Sequence, residues 1–450
     1  MNSTPFARAA ALPDPTDVAA GLIGAPVAER PERAARPGRA ERTVLSLLQR
    51  LDHGTLDLHT PGGSHHFGEL RATDGDGQPA STLRAAMHLD DDAVFARVLR
   101  SGDIGLAEAY IDGQWHTPDL PELLELFMRN RESLEQAVYG TRIGTLVHRV
   151  VHWMRRNSRR GSRRNIEAHY DLGNDFYTAW LDPTMNYSSA WFGGDASLTL
   201  PEAQHRKVAR ALDEAGVGRG GRLLEIGCGW GAVAEAAAAR GAEIVGVTLS
   251  HEQLAWAKRR LHAAGAGERA DLRLQDYRDL AAECERTGRR YDGIVSIEMF
   301  EAVGRAWWPT YFDTLARCLQ PGGSACVQVI VIRDDLFERY VRSTDFIQQY
   351  VFPGGLLPSA SVFRAEAAKA GLAVSNELAF GADYARTLAE WRRAFHAHRG
   401  FVESLGHDER FCRLWDFYLA YCEAAFATGQ TDVYQFTLRH REGDARSSRR

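Results

Sequence analysis

The chain has 450 residues and a formal net charge of −5, and 44% of its residues are hydrophobic. That length exceeds one average domain and the composition is ordinary for a globular protein, so wholesale disorder is excluded. The net charge gives no sign of nucleic-acid binding. No apolar run approaches the roughly 20 residues that span a bilayer. The N-terminal residues lack a basic region followed by an apolar stretch, so we expect a cytoplasmic protein with reduced cysteines.

The first third of the chain is predicted to contain a tail followed by a small domain. Residues 1–40 are rich in Ala, Pro and Arg without a sustained period, which predicts a disordered tail. Residues 41–150 predict a smaller mixed N-terminal domain. Its elements are a hairpin over Thr55–Phe67 and two helical stretches near 94–110 and 119–137.

Two polar clusters stand out, one directly after this domain and one within it. Residues 151–164 form a basic linker with six arginines and no acid between 155 and 164, which favours contact with an anionic membrane surface over a merely solvated linker. Four histidines gather in the hairpin region, at His53, His59, His65 and His66. Their spacing does not match a ligand set, so we expect no metal.

From about residue 165 the pattern changes to strands alternating with helices. Strands are predicted at 223–226, 243–248, 271–275, 292–296 and 324–332. This alternation predicts an α/β fold with a parallel, doubly wound sheet. The catalytic domain is expected over 165–440, with a tail at 441–450.

A glycine loop follows the first of these strands. In Gly227-Cys-Gly-Trp-Gly231 the backbone can pass close to a ligand at the strand's carboxyl end. A dinucleotide site, as in an NAD-dependent oxidoreductase, would need an acid about 20 positions on for the ribose, where Val247 and Thr248 stand. Glu225 before the loop and Gln275-Asp276 after the third strand suit adenosyl recognition by an S-adenosylmethionine (AdoMet) methyltransferase instead.

Several motifs in order resemble those of the cyclopropane-fatty-acyl-phospholipid synthases. Among them are His169–Tyr177, Leu224–Gly231, Phe380–Tyr384 and, upstream, Gly105–Trp115. The resemblance covers roughly residues 50–440. It implies a class I methyltransferase, Rossmann-like fold with a lipid-associated N-terminal domain. It also implies transfer of the AdoMet methyl group to the cis double bond of an unsaturated phospholipid acyl chain, forming a cyclopropane.

The resemblance also implies which residues contact the cofactor and the reacting chain. The cofactor positions are Tyr187, Ser188, Gly227, Gly229, Thr248, Gln253, Gln275 and Asp276. Asp276 would accept from the adenine amino group. Methyl transfer leaves a carbocation on the acyl chain, which aromatic faces can stabilise. The aromatic candidates are Tyr384, Phe176, Phe192 and Phe300.

The chain departs from the family at the group that accepts a proton. In the family a bicarbonate ion does so, and its cage maps onto Glu301, Tyr384 and the backbone of Ser189 and Ile330. The usual histidine is Gln328, and Glu298 replaces a small residue. Two carboxylates three residues apart would raise one pKa. Either bicarbonate binds in a changed cage, or Glu298 takes over part of its role, or Glu298 merely caps the backbone or faces solvent.

The first expectation for function is therefore a cyclopropane synthase-like enzyme that associates peripherally with membranes. If a hydride shift precedes deprotonation, the product is instead a methylene group that a separate reductase converts to a methyl branch. A protein of another class, a non-catalytic lipid binder, is the third reading. Headgroup preference and the existence of a homodimer are left open.

Overall fold

The computed structural model describes residues 38–70, 82–134 and 172–441. The basic linker at 151–164 lies outside these ranges, as do the predicted tails except for residues 38–40 and 441. All described residues fall within one compact unit. None of the described helices is both long and apolar enough to cross a membrane.

The N-terminal part consists of a four-stranded sheet with helices. Its elements are α1 (Arg39–Leu48), β1 (Thr55–Thr60), β2 (Gly63–Phe67), β3 (Arg84–Leu89), α2 (Ala93–Ser101), α3 (Asp103–Ile111), β4 (Trp115–His116) and α4 (Leu120–Arg129). The strand order is β2-β1-β3-β4. The predicted hairpin is confirmed, because β1 and β2 pair antiparallel with Thr60 opposite Gly63.

The two predicted helices of this part need correction. The stretch 94–110 is two helices, because Gly102 adopts φ 61° and ψ −133°, outside the helical range. The cap predicted at Asp119 is confirmed by its hydrogen bond from the Glu122 amide at 3.0 Å. The helix after it is shorter than predicted and ends before Asn130, whose side-chain amide donates to two backbone carbonyl oxygens.

The C-terminal part is built around a seven-stranded sheet. Its strands are β5 (Arg222–Ile226), β6 (Glu243–Thr248), β7 (Ala270–Leu274), β8 (Tyr291–Ile297), β9 (Leu319–Ile332), β10 (Leu372–Ala379) and β11 (Thr431–His440). Its helices are α5 (Asn174–Thr178), α6 (Leu200–Ala215), α7 (Ala232–Ala239), α8 (His251–Ala263), α9 (Leu280–Thr287), α10 (Trp308–Cys318), α11 (Asp334–Arg342), α12 (Ala360–Lys369), α13 (Gly381–Ala397), α14 (Arg399–Ser404) and α15 (Glu409–Ala427).

The order of the large sheet is β10-β11-β9-β8-β5-β6-β7. Strands β5 to β9 run parallel, and β11 is antiparallel to both of its neighbours. Successive residues of β5 enter different hydrophobic clusters, Leu223 on one face and Leu224 on the other. Burial of both faces explains the continuous apolar strands in the sequence and confirms the predicted doubly wound α/β fold.

A buried hydrogen bond to Asp416 is among the contacts that join the N-terminal part to the catalytic part. The hydroxyl of Tyr110 on α3 donates to Asp416 on α15 at 2.7 Å, and Arg392 donates to the same carboxylate at 2.6 Å. Burial alone would raise the pKa of Asp416, but the hydrogen bond with His396 and the charge of Arg392 hold it at about 2. The guanidinium of Arg413 lies 4.0 Å from the centre of the Tyr110 ring. The interface thus contains an ionised, well-partnered carboxylate.

We expect Tyr110→Phe to lower the free energy of unfolding by about 2 kcal/mol, because a hydrogen bond to a buried charged group is lost. Tyr350→Phe is the matched control. Its hydroxyl donates to Glu108, but the residue is 39% exposed, so its loss should cost less than about 0.5 kcal/mol. Urea denaturation measures both values. Equal costs for the two variants would contradict a larger contribution from the buried bond between Tyr110 and Asp416.

Candidate active site

A cavity of about 340 Å³ lies at the carboxyl ends of the parallel strands. Gly227 follows β5, Thr248 ends β6, Gln275 follows β7 and Glu298 follows β8, and all four residues line it. Ligands of open α/β sheets bind in this crevice because the strand-to-helix loops converge there. The fold therefore brings residues that are far apart in sequence to one site.

The glycine loop after β5 requires its glycines. Gly227 and Gly231 both have φ of 86°, and a Cβ on either would lie 2.9 Å from a side-chain atom, of Met299 and Ala257 respectively. Gly229 has φ of 48°, and a Cβ there would meet nothing within 4 Å. The loop therefore packs tightly on its protein side and presents bare backbone at the cavity.

Seven of the eight residues predicted to contact AdoMet line this cavity. They are Tyr187, Ser188, Gly227, Gly229, Thr248, Gln253 and Gln275. Asp276 does not line it. Its carboxylate instead accepts from the Arg278 guanidinium at 2.8 and 2.5 Å, and Arg278 itself lines the cavity. The role of Asp276 towards adenine stays a prediction.

One buried acceptor tests whether these residues fit AdoMet. Glu225 lines the cavity, and its Oε2 atom is buried with no hydrogen-bond partner in the described part of the chain. Burial raises the pKa of this carboxyl well above its usual range. A cationic amino group in the cavity would supply the missing donor. Together with the bare glycine backbone, this acceptor fits the aminoacyl end of AdoMet.

The Glu298 carboxylate accepts hydrogen bonds from three of the groups that the resemblance assigns to bicarbonate. Its Oε1 atom accepts from the Ser189 amide at 2.9 Å and from the Gln328 side chain at 2.7 Å. Its Oε2 atom accepts from the Tyr384 hydroxyl at 2.7 Å. Bicarbonate therefore does not fit the cage in its family position while Glu298 adopts this conformation.

The backbone of Glu298 is held in an unusual conformation. Its φ of 47° lies in the left-handed region, which costs a residue other than glycine on the order of 1–3 kcal/mol. Glycine adopts this region without a steric penalty, whereas any residue with a Cβ does not. Strain of this kind persists only where surrounding contacts fix it, and the three hydrogen bonds to the carboxylate supply such contacts.

Glu301 has a different environment from Glu298. Its Oε1 atom accepts from the Ile330 amide at 2.6 Å, and its Oε2 atom is buried with no hydrogen-bond partner among the described residues. Burial, with the neighbouring charge of Glu298, raises the pKa of Glu301 to about 8. Glu298 accepts three hydrogen bonds and Glu301 accepts one, so the surrounding donors favour Glu298 as the ionised member of the pair.

The sequence analysis missed Lys207 on α6. This lysine is wholly buried, and its Nζ donates to the Ser188 hydroxyl at 2.6 Å. Burial lowers the pKa of Lys207 to about 8, while the charge of Glu298 opposes that shift. Its ammonium group in turn lowers the pKa of Glu298, against the larger effect of burial, which raises it. One feature of the sequence could have indicated Lys207, namely that lysine is scarce relative to arginine in this chain.

Gln435 on β11 was also missed. It lies opposite Gln328 in the sheet and donates to the Gln328 side-chain oxygen at 3.0 Å. Its own oxygen accepts from Arg210 at 2.5 Å. Because the Gln328 oxygen is thereby engaged, its NH₂ group is directed at Glu298. No sequence motif marks this residue, since the pairing depends on strand register.

The aromatic wall differs from the prediction. Tyr384, Tyr418, Phe352 and Phe426 line the cavity, and the rings of Tyr384 and Phe426 stack with centroids 4.3 Å apart. The expectation for the other three phenylalanines was wrong, because their side chains are buried in the core and do not line it. They are Phe176, Phe192 and Phe300.

No group of three or more His, Cys, Asp or Glu residues suited to hold a metal ion occurs among the described residues. The hairpin histidines are part of this search. His59 stacks on His88 with ring centroids 4.5 Å apart, and His66 pairs with Asp57 at 2.7 Å. These rings thus have partners within the N-terminal sheet.

Comparison with known proteins agrees with this geometry. The family model described as mycolic acid cyclopropane synthetase matches residues 157–436. Tuberculostearic acid methyltransferase UfaA1 of Mycobacterium tuberculosis is 41% identical over 355 residues, covering 77% of this chain and 81% of its own. The cyclopropane-fatty-acyl-phospholipid synthase of Escherichia coli K12 is 33% identical, covering 76% and 84%.

A solved structure of a cyclopropane synthase is also similar to this chain. Mycolic acid cyclopropane synthase CmaA1, complexed with SAH and CTAB, aligns with a TM-score of 0.55 and 31% identity, over 61% of this chain and 97% of its own. These matches exclude the oxidoreductase and non-catalytic readings. The chain belongs to the mycolic acid cyclopropane synthetase family, AdoMet-dependent methyltransferases that methylate or cyclopropanate lipid acyl chains.

Proposed function

We propose that the protein transfers the AdoMet methyl group to the cis double bond of an unsaturated phospholipid acyl chain. Glu298, rather than bicarbonate, then accepts the proton that the methylated chain loses. The observation that carries this proposal is the hydrogen bonding of Glu298 to Ser189, Gln328 and Tyr384. The carboxylate uses the donors that would otherwise hold a separate base.

The cofactor supplies an electrophilic methyl group on a sulfonium. The glycine backbone at Gly227 and Gly229 would lie along it, Gln253 and Gln275 would contact its adenosyl part, and Glu225 would accept from its amino group. An alkene is a poor nucleophile, so the protein contributes mainly by holding the double bond in line with the methyl group and excluding water.

The reaction balances without a further co-reactant. The alkene electron pair forms a bond to the methyl carbon as the carbon–sulfur bond breaks, which leaves a carbocation on the neighbouring chain carbon. The faces of Tyr384, Tyr418 and Phe426 in the cavity wall can stabilise that charge without capturing it. A C–H bond of the new methyl group then breaks and its proton passes to Glu298. Its electrons either close a cyclopropane ring or, after a hydride shift, form the double bond of a methylene group.

The strength of the base bears on the product. Oε1 of Glu298 already accepts two hydrogen bonds and Oε2 accepts one, so one position on Oε2 remains for the proton. These donors and the ammonium of Lys207 lower the pKa of Glu298, while burial raises it by more. Where deprotonation is slower than a hydride shift, the charge moves to the more stable tertiary carbon. Loss of the methyl proton from that cation gives an exocyclic methylene group.

We place a methylene-forming fatty acyl methyltransferase first, with a separate reductase producing the methyl branch. The 41% identity to a protein named tuberculostearic acid methyltransferase supports this choice. The cyclopropane synthase expected from the sequence is the second candidate. Its support is the 33% identity to the Escherichia coli synthase, and in both reactions the base removes a proton from the same methyl carbon.

Product analysis tests the proposed function. Cells that express the chain and supply a monounsaturated phospholipid deuterated at the double bond should accumulate an acyl chain heavier by one CH₂ group. Mass spectrometry measures this gain. NMR should show vinylidene protons and deuterium moved to the adjacent carbon. Cyclopropane protons would replace the first candidate by the second, and the absence of any mass gain would reject both.

Substitution of Glu298 separates its role as base from its role in filling the cage. We expect Glu298→Gln to lower kcat by about 100-fold or more, because the amide fills the site but cannot accept the proton. Glu298→Ala vacates the site, so added bicarbonate can bind Tyr384, Ser189 and Gln328 and should restore turnover saturably. Full activity of Glu298→Gln, or no rescue of Glu298→Ala, would contradict this role.

The pH dependence tests the part played by Lys207. Glu298 accepts a proton only when ionised, so turnover should rise with pH through its pKa. The Lys207 charge lowers that pKa, so Lys207→Met should move the acid limb of the kcat profile to higher pH. Lys258→Met, at an exposed position of α8, is the control and should leave the profile unchanged. An unmoved limb in Lys207→Met would show that the ammonium does not tune the base.

A further inference from the structure

A second cavity, of about 190 Å³, lies between the N-terminal sheet and its helices. The N-terminal side of this cavity is almost entirely apolar. Leu56 and Leu58 of β1, Met87 of β3, and Phe95 and Val98 of α2 all face it. The family match begins at residue 157, so this apolar wall lies outside the matched part of the chain.

The second cavity adjoins the catalytic cavity. Six residues line both of them, namely Tyr340, Asp345, Leu357, Tyr421, Ala425 and Thr431. Ala425 is the smallest of the six and lies on α15, which also carries Tyr418 of the catalytic wall. The N-terminal cavity is therefore separated from the reaction site by a single layer of side chains.

The chemistry of the shared wall selects among occupants. Asp103 and Asp345 line the second cavity together with Arg131, so a phosphate or carboxylate there would meet two carboxyl groups and one cation. The polar groups also bond to their own neighbours. Tyr421 donates to Asp103 at 3.1 Å, and Arg131 donates to Gln430 at 2.8 Å. An uncharged hydrocarbon fits this surface better than a lipid headgroup does.

A mid-chain double bond divides the substrate into two arms. One arm leads to the headgroup and must remain connected to water or membrane, whereas the other ends in a methyl group and gains from burial in an apolar space. We propose, resting on the proposed function, that the second cavity receives the methyl-terminal arm. The cavity then selects substrates by the number of carbons between the double bond and the methyl end.

Filling the second cavity tests this proposal. Val98→Phe adds bulk at a half-buried position that lines the cavity. Leu99→Phe is the matched control, since Leu99 is half-buried on the same helix but does not line it. Turnover is measured on purified full-length protein with monounsaturated phospholipids that differ only in the length of the methyl-terminal arm. Calorimetry with AdoMet confirms that each variant keeps its cofactor site.

Val98→Phe should lower kcat/KM at least tenfold for long arms and leave short arms unchanged, while Leu99→Phe follows the wild type. Phe95→Leu enlarges the cavity and should shift preference to longer arms, which keeps the test open if Val98→Phe does not fold. If the preference for arm length is unchanged in both Val98→Phe and Phe95→Leu, this inference is overturned while the proposed function stands. A loss of kcat/KM that depends on the length of the second acyl chain, and not on the methyl-terminal arm, would also overturn it. A wild type that modifies none of the lipids would reject the proposed function itself.

Discussion

A buried carboxylate that accepts three hydrogen bonds organises the active site. The donors to Glu298 come from the Ser189 amide, the Gln328 side chain and the Tyr384 hydroxyl. They compensate a left-handed backbone conformation that glutamate would otherwise avoid. They also lower the pKa of Glu298 against the larger effect of burial, which raises it. Without them Glu298 would be strained and its pKa higher still.

Each donor is fixed by a different part of the fold. Ser189 precedes α6, Gln328 lies within β9, and Tyr384 is the fourth residue of α13. The reversed strand β11 contributes Gln435, which occupies the Gln328 oxygen and so orients its NH₂ group. Two of the donors therefore lie on a strand and a helix of the catalytic fold, and the third, Ser189, lies in a buried loop. Such preorganisation lets a carboxylate act without reorganising during the reaction.

The sequence predicted what depends on local pattern. Alternating strands and helices indicated the doubly wound sheet, the glycine loop indicated the cofactor site, and the three-residue spacing indicated the pairing of Glu298 with Glu301. It did not predict Lys207 or Gln435, because their roles depend on contacts between elements distant in sequence. Helix continuity through residue 102 was predicted from periodicity alone, and one glycine with positive φ overruled it.

A role for Glu298 as the resident base implies independence from dissolved bicarbonate. The most direct measurement is the turnover of wild-type enzyme in buffer purged of carbon dioxide, before and after bicarbonate is added back. We predict an unchanged rate, because Ser189, Gln328 and Tyr384 already donate to Glu298 and leave no donors for a bicarbonate ion. A rate that collapses on purging and returns saturably with bicarbonate would show that Glu298 leaves the cage during turnover, and that a separate ion is the base.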